Sequence, residues 1–289
     1  MTLPRTDGDG WVDCGCGRRH WGRYGAAGLL LVAPDGSVLL QHRAERSHEG
    51  GTWSVPGGAR TSTESPHGTA LREAAEEVTL PGEQIRFAFS WVEEHPDWSY
   101  TTVVAHVGRR VDAVPANWES LDVQWVAPDE VTDLPLHPAF AATWRHLRGA
   151  VRQRLVVLVD AANVVGSRPD GWWKDRLGAS ARLRDSLAGL AERGLPAAAF
   201  GLPGHTWWPD VHLVVEGKAA GLLAVEGVAV HPASADGDSL LAAKAASAAA
   251  DGSHTHVVVV TADRPLRATV ESAGATVVGP RTLLDVLPG

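Results

Sequence analysis

The chain reads as an α/β protein of two domains: a strand-rich domain around one acidic helix, then a Rossmann-like domain on a parallel sheet. Three observations predict this. The 289 residues suit two domains of ordinary size better than one large one. Between residues 25 and 126, short apolar runs are broken by Gly and Pro turns and by a single Ala- and Glu-rich stretch. From residue 154 onward, apolar runs alternate with helical stretches, the pattern of a parallel sheet with helices on both faces. The expected partition is an N-terminal segment at 1–24, a first domain at 25–152 and a second at 153–289.

Each element has a local reason. Residues 25–34 and 37–42 are apolar runs flanking Asp35-Gly36, a hairpin signal. Trp53, Val55 and Pro56 form a short strand that ends in the loop Gly57-Gly58. Ser65 before Pro66 opens a helix over 66–78, with proline at the first helical position. Strands follow at 85–92, 100–107 and 123–126, and a helix at 138–151 closes the domain. In the second domain, strands at 154–160, 211–217, 228–232, 256–263 and 275–278 alternate with helices at 175–193, 239–250, 265–273 and 281–287.

Composition narrows the function classes. Hydrophobic residues make up 44% and charged residues 21%, a globular balance. A formal net charge of −8 argues against a general nucleic-acid binder and leaves room only for a local basic patch. The start of the chain has no apolar signal core and no run reaches the length of a membrane span, so a soluble cytoplasmic protein with no membrane partner is expected. A bridge between Cys14 and Cys16 would close a strained ring. With His20 they offer three donors of the kind zinc takes. The spacing is not that of a common structural zinc site, however, and no fourth donor stands nearby in sequence, so a metal-free turn is the alternative.

The acidic helix carries the sharpest chemical signal. Glu73, Glu76 and Glu77 fall at i, i+3 and i+4, which places three carboxylates on one helical face. Charges that close repel, and a divalent cation is the natural compensation; hard oxygen donors suit Mg²⁺ or Mn²⁺ bound together with substrate phosphates. A solvated acidic face is the bland alternative. The surrounding stretch GARTSTESPHGTALREAAEEVTL resembles the Nudix box, with Gly58, Glu64, Arg72, Glu73, Ala74, Glu76, Glu77 and Leu80 in register and Thr79 where the pattern has glycine. The resemblance implies an α/β/α sandwich with a mixed sheet, and a Mg²⁺-dependent hydrolase cleaving a nucleoside di- or triphosphate derivative. By the same resemblance, Gly58 shapes the loop, the Gly57 carbonyl joins the metal shell, and Arg72 and Glu64 brace loop against helix. Thr79 removes no ligand, but it stands where glycine would supply a left-handed cap.

A further acid is expected from outside the box. In the nucleotide-sanitising Nudix enzymes a glutamate precedes a tryptophan by six residues, as Glu119 precedes Trp125, which nominates Glu119 as an extra ligand or general base. Glu93 and Glu94 are its rivals. Trp91, Trp98, Tyr100 and Trp118 offer surfaces for stacking a base, with core packing the alternative for each. The proline-rich signature of NAD-pyrophosphatase relatives is not visible.

In the second domain Asp160 and Asp263 each end an apolar run, and Asp236 and Asp238 follow another and open the next helix. A parallel sheet gathers all four at its carboxyl edge, where ligands bind. The pattern DAANVVG, then ADGDS, then TADRPL, with Asn163 three residues after Asp160, resembles the NYN branch of PIN-like nucleases. That resemblance implies Mg²⁺ or Mn²⁺ held by these acids and cleavage of RNA; helix capping by Asp236 and Asp238 is the plainer alternative. Arg168, Lys174, Arg176, Arg182 and Arg184 lie near Trp172 and Trp173, which suits single-stranded RNA or, equally, a solvated helix face over packed tryptophans.

Overall fold

A computed structural model of the chain describes residues 6–79, 85–110, 112–169, 171–250, 252 and 254–287. Leu80 lies outside the described residues. The chain divides into two compact units, Met1–Arg152 and Gln153–Gly289.

The first unit opens on an antiparallel hairpin of β1 (Trp11–Asp13) and β2 (Arg19–Trp21), inside the segment for which the sequence predicted no element. Next come β3 (Ala26–Val32), β4 (Val38–Arg43), β5 (Trp53–Ser54), β6 (Gly57–Ala59), α1 (Pro66–Glu77), β7 (Val78–Thr79), β8 (Arg86–His95), β9 (Trp98–His106), β10 (Val114–Pro115), β11 (Ser120–Val126) and α2 (Pro138–Leu147). The sheet runs β11-β4-β3-β9-β8, with β5 on β4 and β6 on β3. It is mixed: β3 pairs parallel with β9 from Ala26↔Tyr100 to Val32↔His106, and antiparallel with β4 and β6.

Every residue of β3 is buried, as expected of an apolar strand at the centre of a sheet. Asp35 fixes the turn after it by accepting from the Ser37 amide (3.0 Å), and Gly36 takes the positive φ of 88° that the turn needs. In α2, Phe140, Thr143, Trp144 and Leu147 make one buried stripe at helical spacing. That helix was expected to reach residue 151. It ends at Leu147, because the next turn tightens and both Ala150 and Val151 donate to the Leu147 carbonyl.

The exit of α1 departs from the Nudix pattern in a physically legible way. Among the described residues, no left-handed one follows the helix. Val78 is already extended (φ −133°, ψ 129°), and Val78–Thr79 pairs antiparallel with Val114–Pro115. The helix passes straight into a strand, so the position of Thr79 does not call for glycine.

The second unit contains β12 (Arg154–Asp160), α3 (Ala161–Gly166), α4 (Arg176–Arg193), β13 (Leu195–Pro196), β14 (Thr206–Trp207), β15 (Asp210–Val215), β16 (Val228–Pro232), α5 (Gly237–Ala250), β17 (Thr255–Val260), α6 (Arg264–Ser272), β18 (Thr276–Val278) and α7 (Pro280–Leu284). Five strands form an all-parallel sheet in the order β16-β15-β12-β17-β18. In order of appearance this is 3-2-1-4-5, the doubly wound arrangement, whose direction reverses at β12. A core of Val156, Leu158, Val214, Leu241, Val257, Val259, Leu266 and Val270 packs α5 and α6 on the sheet. Two elements were not anticipated, the short helix α3 and the small β13–β14 pair. The strand expected to reach residue 263 stops at Val260, and Asp263 instead caps α6.

We expect Thr79→Gly to lower the stability of the first unit by about 0.5–1 kcal/mol, because glycine weakens a strand and no left-handed cap is gained. Urea unfolding checks this; a gain in stability would show that α1 wants a different exit.

Candidate active site

The site of the first unit is built where α1 faces β6. Ser65 caps the helix by accepting from the Gly68 amide (3.2 Å), and the helix then presents Glu73, Glu76 and Glu77 on one side. Glu77 is almost wholly buried (3% exposed) and accepts the Gly57 amide at 2.9 Å. The two glycines of β6 permit this approach. A Cβ on Gly57 would lie 2.5 Å from the Ala27 carbonyl oxygen and the Gly28 Cα, and one on Gly58 would lie 2.5 Å from the Glu73 carboxylate. A side chain on Gly57 would push the loop off β3, and one on Gly58 would push it off α1.

Arg72 joins the parts. Its Nε and Nη2 donate to the two oxygens of Glu64 (2.6 and 3.0 Å), and Nη2 also donates to the Ala59 carbonyl (3.0 Å). Its Nη1 reaches Glu73 (2.9 Å) and Glu76 (3.4 Å). The bidentate contact of guanidinium with carboxylate fixes direction as well as distance. Thr61 N and Thr69 Oγ1 donate to the same Glu64. The sequence assigned Arg72 a brace between loop and helix; the structure adds its hold on Glu73 and Glu76.

The electrostatics separate these acids. The Arg72 hydrogen bonds hold Glu64 down at about 2. Burial raises Glu73 to about 7 against the pull of Arg72. Burial also raises Glu77 to about 8, with the Gly57 amide opposing and the charges of Glu73 and Glu119 adding to it. Raised carboxyls close together are short of positive charge. The donors are all hard oxygens on one face, so a divalent cation fits them by charge and by chemistry.

Glu119 belongs to this group, since its charge acts on both Glu73 and Glu77. Asn117, which the sequence reading missed, holds it in place. Its side chain donates to the Glu76 carbonyl (3.0 Å) and accepts the Glu119 amide (2.8 Å), and the Glu119 carbonyl accepts from Ala44 N (2.8 Å). The rivals are placed otherwise. Glu93 accepts from Thr143 of α2 (3.1 Å), and Glu94 is exposed.

The aromatic candidates divide as well. Tyr100 lies beneath the glycine loop, its hydroxyl against the backbones of Gly28 and Gly57. Burial raises it, and the charges of Glu77 and Glu73 add to the shift. Trp98 stacks on His20 (4.4 Å between centroids) and donates to the Trp21 and Gly22 carbonyls (3.2 and 3.0 Å), so the N-terminal hairpin occupies it. Trp91 stacks on His146 of α2 at 4.6 Å. Trp118 is 54% exposed beside Glu119 in the chain.

In the second unit Asp160, Asn163, Glu216, Asp238 and Asp263 line a cleft of about 260 Å³. It lies at the carboxyl end of β12, where the strand order reverses. Asp160 is buried and accepts from Asn163 N (2.9 Å) and Thr261 Oγ1 (3.0 Å). Burial raises it, with the charges of Asp238 and Glu216 adding to the effect. Asn163 Oδ1 accepts from Ala262 N (2.9 Å), which ties α3 to the loop after β17. Asp236 does not line the cleft: it accepts from Ser239 N (2.7 Å) at the start of α5, and that hydrogen bond lowers it. Glu216 stands in the cleft and was missed, because it follows the apolar run of β15 without any motif to mark it. Outside the cleft Arg176 sits over Trp172 (5.1 Å), and Trp173 is 58% exposed.

Two outcomes are expected from the Arg72–Glu64 pair. The folded-state value of Glu64 lies below its ordinary 4.5, so its contribution is present above about pH 4.5 and is lost as pH falls toward 2. Glu64→Gln is therefore expected to destabilise the first unit by about 2 kcal/mol at neutral pH and by much less near pH 2, read by urea unfolding at both. An equal loss at both pH values would show that the ion pair is not the cause.

Comparison with known proteins places the first unit. The NUDIX domain model matches residues 22–147. A Mycobacterium tuberculosis protein named "Putative 8-oxo-dGTP diphosphatase 3" is 54% identical over 156 residues, 50% of this chain and 71% of that protein. A Bifidobacterium longum "Nucleoside triphosphate pyrophosphatase/Nudix hydrolase fusion protein" is 45% identical over 145 residues, 47% of this chain and 30% of that protein. The crystal structure of a Nudix hydrolase from Mycobacterium smegmatis shares 49% identity over 49% of this chain and 94% of its own, with a TM-score of 0.45. The chain belongs, through its first unit, to the Nudix hydrolases.

Proposed function

We propose that the first unit hydrolyses the diphosphate linkage of a nucleoside triphosphate or a related nucleoside diphosphate derivative, with Mg²⁺ or Mn²⁺ as cofactor. The observation that carries this reading is the set of buried, charge-deficient carboxylates Glu73 and Glu77 facing the Gly57-Gly58 loop. Enzymes of this family use divalent metal ions, and the names of the relatives above point to nucleoside triphosphates. The Gly57 carbonyl, Glu73, Glu76, Glu77 and Glu119 are the groups that would hold the cation. When bound, it supplies charge neutralisation for the phosphates and an acidified water. Glu119 takes the proton from the attacking water, its backbone held beside the helix end by Asn117. Arg72 fixes the rotamers of Glu73 and Glu76.

The second unit is read as PIN-like, of the NYN branch, with a metal at Asp160, Asp238 and Asp263 and single-stranded RNA as substrate. Two observations support it: the 3-2-1-4-5 parallel order, and the acidic cleft at its reversal point. In this reading Glu216 takes the place the sequence gave to Asp236. The alternative is an RNA- or partner-binding module, with the first unit as the sole catalyst.

Glu76→Gln and Glu77→Gln are expected to cut the release of phosphate or pyrophosphate from nucleoside triphosphates with Mg²⁺ by about 100-fold or more while the fold persists by circular dichroism. Unchanged turnover would overturn the assignment. For the second unit, Mn²⁺-dependent RNA cleavage by the wild type and its loss in Asp160→Asn and Asp263→Asn decide for a nuclease. A wild type inert toward several RNAs decides for the binding module.

A further inference from the structure

The N-terminal hairpin holds a cluster that the hydrolytic reaction does not use. Cys14, Cys16 and His20 each offer a ligand atom, and these three atoms lie within 4.8 Å of one another. Cys16 Sγ stands 3.2 Å from His20 Nε2. Tetrahedral zinc, with bonds of about 2.3 Å to sulfur and about 2.0 Å to nitrogen, sets its donors apart by a similar span. Both cysteines are free thiols.

The surroundings are those of a thiolate knuckle. The turn is closed by Cys14 N to the Arg18 carbonyl (3.0 Å) and Gly17 N to the Cys14 carbonyl (2.9 Å), with Gly17 at a positive φ of 81°. Asp97 accepts from Gly15 N at 2.7 Å, so its carboxylate braces the turn.

A further imidazole stands beside this group, brought from the far end of the first unit's sheet. The β8–β9 turn places the His95 ring 4.3 Å from that of His20. No motif could announce this, because His95 reaches the cluster only through the pairing of β8 with β9. We infer that Cys14, Cys16, His20 and His95 form a structural site for a thiophilic divalent cation of the zinc type, which staples the β1–β2 hairpin to the β8–β9 turn. The staple is separate from the carboxylates of α1. It acts on the hairpin that covers Trp98 and delivers the chain, through Gly22 and Gly25, into β3.

The test uses the full chain, reduced and stripped of metal, titrated with Co²⁺. One equivalent is expected to give a thiolate-to-cobalt charge-transfer band and the intense visible absorption of a tetrahedral centre, both removed by Zn²⁺. Co²⁺ at the carboxylates of α1 gives neither signal, so the two sites are read apart. Cys16→Ser is expected to lose the charge-transfer intensity. His95→Ala is expected to keep a thiolate band, alter the visible absorption and weaken binding about 10- to 100-fold. Asp97→Asn is expected to retain the tetrahedral spectrum. Zn²⁺ is expected to raise the thermal midpoint of the wild type but not of Cys16→Ser. A reduced wild type without the charge-transfer band would overturn the site. A His95→Ala protein with wild-type spectrum and affinity would overturn the fourth ligand.

Discussion

The hydrolase site depends on the guanidinium of Arg72. A helix carrying three carboxylates on one face, beside a fourth from another loop, would be driven apart by its own charge. Arg72 prevents this at Glu73 and Glu76 while its other edge grips Glu64 and the Ala59 carbonyl, so the same fork that tempers the charge also anchors the loop. An ammonium is a point charge and cannot span these positions together. The compensation is deliberately incomplete in its geometry: the fork does not reach Glu77, which lies deepest and faces only backbone on the side of Gly57. What remains is a pocket of negative potential of fixed shape, which is what a cation and a polyphosphate together would complete.

The two units assemble acids by different means. In the first, one helix supplies three of them, so their spacing follows from helical geometry alone. In the second, each acid comes from a different strand end and is oriented by its own local bonds. Asp160 leans on Thr261 and on the first turn of α3, Asp263 caps α6, and Glu216 accepts from Gly237 N. A site of the second kind is set by the order of strands, and it falls where parallel sheets of this type leave a crevice.

That difference explains what the sequence could reveal. The helix 66–78, its cap at Ser65, and the grouping of Glu73, Glu76 and Glu77 were readable, because they rest on contacts within a few residues. So was the alternation of strand and helix in the second unit. Glu119 was nominated through a resemblance, and its partner Asn117 was not, since the bond to the Glu76 carbonyl spans two segments that only folding brings together. Asp236 looked equivalent to Asp238 in sequence, but a helix start turns one side chain back to the amides and leaves the next free. Trp98 looked like a stacking surface until the hairpin of residues 11–21 was seen to cover it. That hairpin is short, and its strands are half exposed, so apolar patterning gave it no signal.

The passage of α1 into β7 has a mechanical consequence. Because Val78–Thr79 pairs with Val114–Pro115, and Ala116 N donates to the Glu77 carbonyl, the chain leading to Glu119 is splinted to the end of the acidic helix. Glu119 is therefore carried by the same rigid piece as the other acids, and thermal motion displaces them together. Their mutual spacing is therefore set by the pairing of backbone within that piece.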